Sequence, residues 1–163
     1  MRSLTRLACI LALLLAMPIF SADADEAALT IDGFVKQSLH LTRAALTASP
    51  ATELDVSFGT GHGDERAHYA GVSLWRLIEE AGLPDEPGNN KHHLSHVAEV
   101  TGADGYTVAV AIGEMDPEFE GKSVILAYTK DGQKIPGTGL RLVVPGDQRG
   151  GRSVHDVVRV EIR

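Results

Sequence analysis

Cysteine is nearly absent from this chain: 163 residues hold one, Cys9, and it falls in an N-terminal stretch that reads as removable. The folded part then carries no thiol, which excludes a disulfide framework, a zinc ribbon, an iron–sulfur cluster and a cysteine nucleophile together. Positive charge is also short. Fifteen Lys and Arg against 22 Asp and Glu give a formal net charge of −7. No basic stripe or aromatic-interleaved Lys/Arg cluster is present, so nucleic acid is excluded as a partner. Long apolar runs are missing after the N-terminus. The run at 7–20 is too short for a good membrane span and nothing later is longer.

What the N-terminus does contain is an export pattern. Arg2 and Arg6 form a positive start, residues 7–20 an apolar run, and Ala22-Asp23-Ala24 a small-x-small cleavage site. Cys9 lies at the start of the run, whereas a lipidated cysteine would lie at its far end. Residues 1–24 are therefore expected to be a signal peptide. Residues 25–163 are expected to form one domain of about 139 residues and net charge about −8. The location expected is periplasmic or secreted, with no membrane span in the mature protein.

The rest of the chain reads as many short strands and one clear helix. Strands are expected at 28–35, 39–41 and 54–58, with one or two helical turns over 42–48, Thr42 as N-cap and Pro50 as the stop. The stretch 59–69 (GTGHGDERAHY) reads as a polar loop, either merely exposed or carrying chemistry at the end of a strand. Ser73 caps a helix over 74–81 with Leu74, Leu77, Ile78 and Ala81 on one face, and Gly82 and Pro84 end it. Residues 83–90 look like a linker. The stretches 97–101 and 106–112 form a hairpin about Ala103-Asp104-Gly105; 113–121 is a short helix or loop, and 154–162 a closing strand. No repeat and no alternating strand–helix order appears, so the fold class is β-rich α+β, not a Rossmann sheet.

The stretch 126–147 (LAYTKDGQKIPGTGLRLVVPGD) constrains the chain most. Asp131-Gly132 supplies turn chemistry after a strand, 135–139 is too rich in Pro and Gly for helix or central strand, and 140–144 resumes as a strand. The loop is either a plain connection, or a place where small residues admit a ligand and Arg141 offers a guanidinium to an anion.

Several segments, in order, resemble the molybdopterin-binding domain of the sulfite oxidase family. They are Tyr69-Ala70-Gly71-Val72-Ser73-Leu74-Trp75, Asp104-Gly105-Tyr106, Met115-Asp116-Pro117-Glu118, Leu126-Ala127-Tyr128, the RLVVPG of 141–146 and Gly151-Arg152-Ser153-Val154. The resemblance runs from about residue 54 to the C-terminus. It implies a fold with several β-sheets and few helices, and a molybdenum atom held through molybdopterin and one cysteine thiolate. It also implies chemistry on sulfite, sulfoxides or related oxo-compounds, with a tyrosine and arginines near the metal. Tyr106, Arg141 and Arg152 match family positions. Tyr106 is thus the catalytic candidate, and Tyr106, Arg141, Arg152 and His155 are the cofactor-binding candidates, for a pterin phosphate or a small oxyanion.

Three departures stand out. The family's cysteine would fall near Gly59 or Thr60, where none exists, and neither glycine nor a threonine hydroxyl replaces a soft anionic thiolate. A His-Gly pair is replaced by Gly137-Thr138-Gly139, and a Val-Lys-Trp by Val154-His155-Asp156. The function expected is therefore an exported protein that binds a small anionic ligand, molybdopterin or an oxyanion, without turnover of its own. Two alternatives stand beside it. One is a molybdopterin-dependent oxidoreductase with a periplasmic redox partner. The other is a histidine-based metal-binding protein, since His62 and His68 flank Asp64 and Glu65 while His92, His93 and His96 form a second group.

Overall fold

A computed structural model describes residues 27–85 and 92–163; the expected leader at 1–24 and most of the expected linker lie outside them. Ten strands build two five-stranded sheets. The first sheet joins β1 (Ala27–Gly33), β2 (Leu39–Thr42), β5 (Val97–Gly102), β6 (Thr107–Ala111) and β10 (Val157–Ile162) in the order β2-β1-β10-β5-β6. Only the β1–β10 pairing is parallel. The second, all antiparallel, runs β3 (Thr52–Thr60), β4 (Gly63–Ser73), β7 (Ile125–Lys130), β8 (Gln133–Lys134), with β9 (Arg141–Val143) also paired to β7. Three helices, α1 (Arg43–Ala48), α2 (Leu74–Ala81) and α3 (Ile112–Met115), complete the described α-structure. This is the β-rich α+β fold expected.

Local chemistry sets these elements. The Thr42 hydroxyl accepts from the Ala45 amide and caps α1, and the Ser73 hydroxyl accepts from the Arg76 amide and caps α2. The α2 residues Leu74, Leu77, Ile78 and Ala81 are all buried, as their spacing requires. They pack with inward residues of the first sheet, such as Leu29, Ile31, Val100 and Val160, and with Val72, Leu126 and Leu142 of the second. Alternation along β7 gives its other face a separate use: Ile125 and Ala127 join Val56, Phe58, Ala67, Tyr69 and Val143 in a smaller core.

One expectation needs correction. The stretch 59–69 is not a loop but most of a hairpin, with β3 and β4 in register from Thr52 opposite Gly71 to Thr60 opposite Gly63. Only Gly61 and His62 lie outside the strands. Polar composition suggested a loop, yet Glu65, Ala67 and Tyr69 alternate inward and Asp64, Arg66 and His68 outward. The Pro/Gly-rich loop before β9 is also explained. Gly137 and Gly139 have positive φ (71° and 76°), and a Cβ on either would run into the Asp156 carboxylate or the Arg43 guanidinium, respectively. Asp156 accepts from the Thr138 amide, and Arg43 donates to the Thr138 carbonyl. Small residues there admit the protein's own side chains.

Candidate functional site

The face of the second sheet that carries the smaller core also carries the polar residues of interest. Period-two alternation puts Glu65 in line with Ala67 and Tyr69 on β4, and Arg141 in line with Val143 on β9. Arg141 is only 7% exposed. Its Nε donates to the Ser153 hydroxyl (2.7 Å), and its Nη1 to the Tyr69 hydroxyl (2.6 Å) and the Glu65 carboxylate (3.1 Å). Tyr69 in turn donates to Glu65 (2.5 Å), as does Lys130 (2.9 Å). Burial alone would raise the Glu65 pKa. The bonds from Tyr69 and Lys130, with the Arg141 charge, outweigh it and hold the carboxyl at about 2. Burial and the Glu65 contact push the Tyr69 phenol above its ordinary value. The result is a fixed floor in which one carboxylate faces two cations, Arg141 and Lys130.

Above this floor opens a cleft of about 650 Å³. Its walls include Phe58, Gly59 and Thr60 at the end of β3, His62 in the hairpin turn, Tyr106, the 149–151 turn and His155. The Tyr106 hydroxyl donates to the Gly151 carbonyl (2.7 Å), tying the β5–β6 turn to the far rim. A second cleft of about 520 Å³, walled by Lys130, Ile135 and Pro136 among others, shares Arg141 and His155 with the first. Burial and the neighbouring Arg141 charge hold the His155 imidazole below its ordinary pKa, so it is neutral at pH 7.

The structure thus brings Tyr106, Arg141, His155 and His62 to one cleft. It does not bring Arg152 there. That guanidinium holds Asp147 through both Nε (3.0 Å) and Nη2 (2.6 Å) and Glu114 through Nη1 (3.2 Å), and it is not a wall residue. His68 projects from the opposite face of β4, with its Nδ1 3.0 Å from Asp55. His62 and His68 therefore do not share a site, and no group of three metal-ligating side chains exists among the described residues. The side chain of His92 lies outside them.

The cation that sequence reasoning passed over is Arg149. It is exposed, lies on the cleft wall, and has no hydrogen-bond or ion-pair partner among the described residues. Its backbone bridges to Gly59 in parallel, and the Gly59 amide donates to the Gln148 carbonyl (3.0 Å). A methyl group at Gly59 would stand 3.0 Å from Arg149 Nη1. Glu65 and Tyr69 were also missed, although their two-residue alternation with Ala67 was visible once 63–73 is read as a strand.

Comparison with known proteins decides the family. The profile described as "Oxidoreductase molybdopterin binding domain" matches residues 15–163. The chain belongs to that family. No curated protein matches the sequence significantly. Among solved structures, the sulfane dehydrogenase SoxCD from Paracoccus pantotrophus is similar, with a TM-score of 0.68 and 24% sequence identity. The match covers 88% of this chain but only 39% of that one. At that identity the likeness is one of fold.

Membership in a molybdopterin-binding family raises the question of whether these residues fit the cofactor. For the molybdenum ligand they do not. At the position where a cysteine is expected stands Gly59, with a guanidinium against it. The Thr60 hydroxyl is committed to its own turn, donating to the Gly63 carbonyl (2.8 Å) and accepting from the His62 amide (3.1 Å). For an anionic end of the cofactor they do fit, because Arg149 and the imidazoles of His62 and His155 line the same space.

Proposed function

We propose that the protein binds a small anionic ligand in the cleft walled by Gly59, Arg149 and His155, and that it has no turnover of its own. Molybdopterin, held by its phosphate, and a free oxyanion are the two ligands of this class that the site suits. The observation that carries the reading is the Gly59–Arg149 pair, which puts a positive guanidinium where a metal-ligating thiolate would have to be. A guanidinium repels a metal cation and attracts phosphate or sulfate oxygens. The leader-like residues 1–24 support a periplasmic or secreted location. A periplasmic redox protein would be the partner only if the protein turned over as an oxidoreductase.

The test is metal analysis of the purified protein together with fluorescence detection of released pterin and a sulfite oxidation assay. The expected result is a bound pterin or saturable oxyanion binding, molybdenum well below one atom per chain, and no sulfite oxidation. Stoichiometric molybdenum with sulfite turnover would overturn the reading and make the protein an oxidoreductase.

A further inference from the structure

Three arginines stand in or beside this cleft, and their charges are not equally available. The Arg141 charge is matched by Glu65 at 3.1 Å, with four of its five N–H groups directed at Ser153, Tyr69 and Glu65. The Arg152 charge is matched twice over, by Asp147 at 2.6 Å and Glu114 at 3.2 Å. Arg149 alone of the three points its charge into the cleft without a carboxylate partner among the described residues. Around it the wall offers the imidazoles of His62 and His155 to the oxygen atoms of a small anion, while the Tyr106 hydroxyl is committed to the Gly151 carbonyl. The one carboxylate at this rim besides Glu65 is Asp104, and it is turned to its own backbone, accepting from the Tyr106 amide (2.9 Å).

We infer that this cleft is a metal-free site for a free tetrahedral oxyanion of the sulfate or phosphate class, with Arg149 as its anchoring cation. The inference rests on the anion-binding reading above and narrows it, since a tetrahedral oxyanion needs no pterin pocket and no metal. Gly59 is part of the device. Lacking a side chain, it leaves the guanidinium room to lie against the end of β3 at the cleft wall. Arg141 serves the site indirectly, by fixing Ser153 and the β9 end of the floor.

The test is calorimetric titration of the purified full chain with inorganic sulfate and inorganic phosphate, at low ionic strength and pH 6.5. Wild type should bind one anion, more weakly as salt rises. Arg149→Ala should weaken binding at least about tenfold, the order of one charge-assisted hydrogen-bond pair. Arg149→Lys should recover only part of the loss, because it restores charge without the two-pronged geometry. Gly59→Ala, which pushes the guanidinium aside, should also weaken binding, and the exposed-face variant Arg76→Ala should leave it unchanged. If sulfate and phosphate bind equally well to wild type and Arg149→Ala, Arg149 is not the anchor and the inference is overturned. Wild type that takes up a pterin phosphate but neither inorganic ion would overturn it too, while leaving the broader reading intact. Absence of binding for sulfate, phosphate and a pterin phosphate alike would bring down both.

Discussion

Arg141 is the residue whose removal tests the floor of the cleft. The residue is 7% exposed, and its guanidinium shares with Lys130 the neutralisation of Glu65, whose side chain is 19% exposed. Arg141→Ala strips the donors from Tyr69, Ser153 and Glu65 at once. Breaking a buried ion pair from one side costs about 3–5 kcal/mol. Lys130 stays at 2.9 Å from Glu65 and limits the damage, so the lower end, about 3 kcal/mol, is expected. Urea unfolding at pH 7, followed by the fluorescence of the lone Trp75, measures it. The loss should also depend on pH. Glu65 has a folded pKa held down to about 2 from 4.5, so its contribution is present above pH 4.5 and is lost as pH falls toward 2. Below that, Arg141 in the wild type is a buried cation facing a neutral acid. The gap between wild type and variant should therefore narrow across the same window. The triple variant Glu65→Leu, Tyr69→Phe and Arg141→Met should recover much of the stability, since a well-packed apolar set with no buried hydroxyl left unpaired can replace a buried ionic one. A loss under about 1 kcal/mol at pH 7, or a gap indifferent to acid, would refute the account.

Two further outcomes test the scaffold. Leu77→Asp puts an unpaired charge on the buried face of α2, where Leu77 is 2% exposed; it should cost about 3 kcal/mol or more, read from the same unfolding curves. Gly71→Ala sits at the β4 irregularity opposite β7, where the new Cβ would meet the Leu126 carbonyl and lie 2.5 Å from the Ala127 Cα. No flexible side chain can give way there, so the variant should express as unfolded or insoluble protein, and native-like thermal unfolding would show that the β4–β7 pairing is misassigned.

What could be read from the chain beforehand follows from how local each determinant is. The helix at 74–81 depends on a serine cap, a 3.6-residue apolar spacing and a terminating glycine, all within ten residues, and it was legible to the residue. The β5–β6 hairpin depends on an Asp-Gly turn between alternating runs and was legible to within a residue or two. The β3–β4 hairpin was not. Its distal half carries charged residues on the outward face and Glu65 on the inward one, so composition argued for a loop. A part-buried glutamate is tolerated there because Arg141, 76 positions later, and Lys130 come to meet it. The Pro/Gly loop before β9 was ambiguous for the same reason. Its glycines are required by Arg43, which bonds the loop from 95 positions earlier, and by Asp156, and nothing within the loop itself announces either.

The same distinction governs the arginines. Sequence favoured Arg141 and Arg152, because their surroundings match a family pattern, over Arg149, which matches none. Position in a motif fixes where a guanidinium is attached, but its availability to a ligand depends on which carboxylates the fold brings to it. Glu65 reaches Arg141 from another strand, and Glu114 reaches Arg152 from α3. Each pairing converts a candidate ligand contact into a structural tie, and both of these carboxylates are remote in sequence, although Arg152 also holds its near neighbour Asp147. Arg149 remains open because β3 meets it with Gly59, a residue with no side chain to pair. A substitution that removes one carboxylate should therefore move charge into the cleft without adding any basic residue. Glu65→Gln, for example, would leave Arg141, a wall residue of the cleft, without its carboxylate partner. The chemistry of the cleft is set less by the number of its arginines than by the number left unmatched.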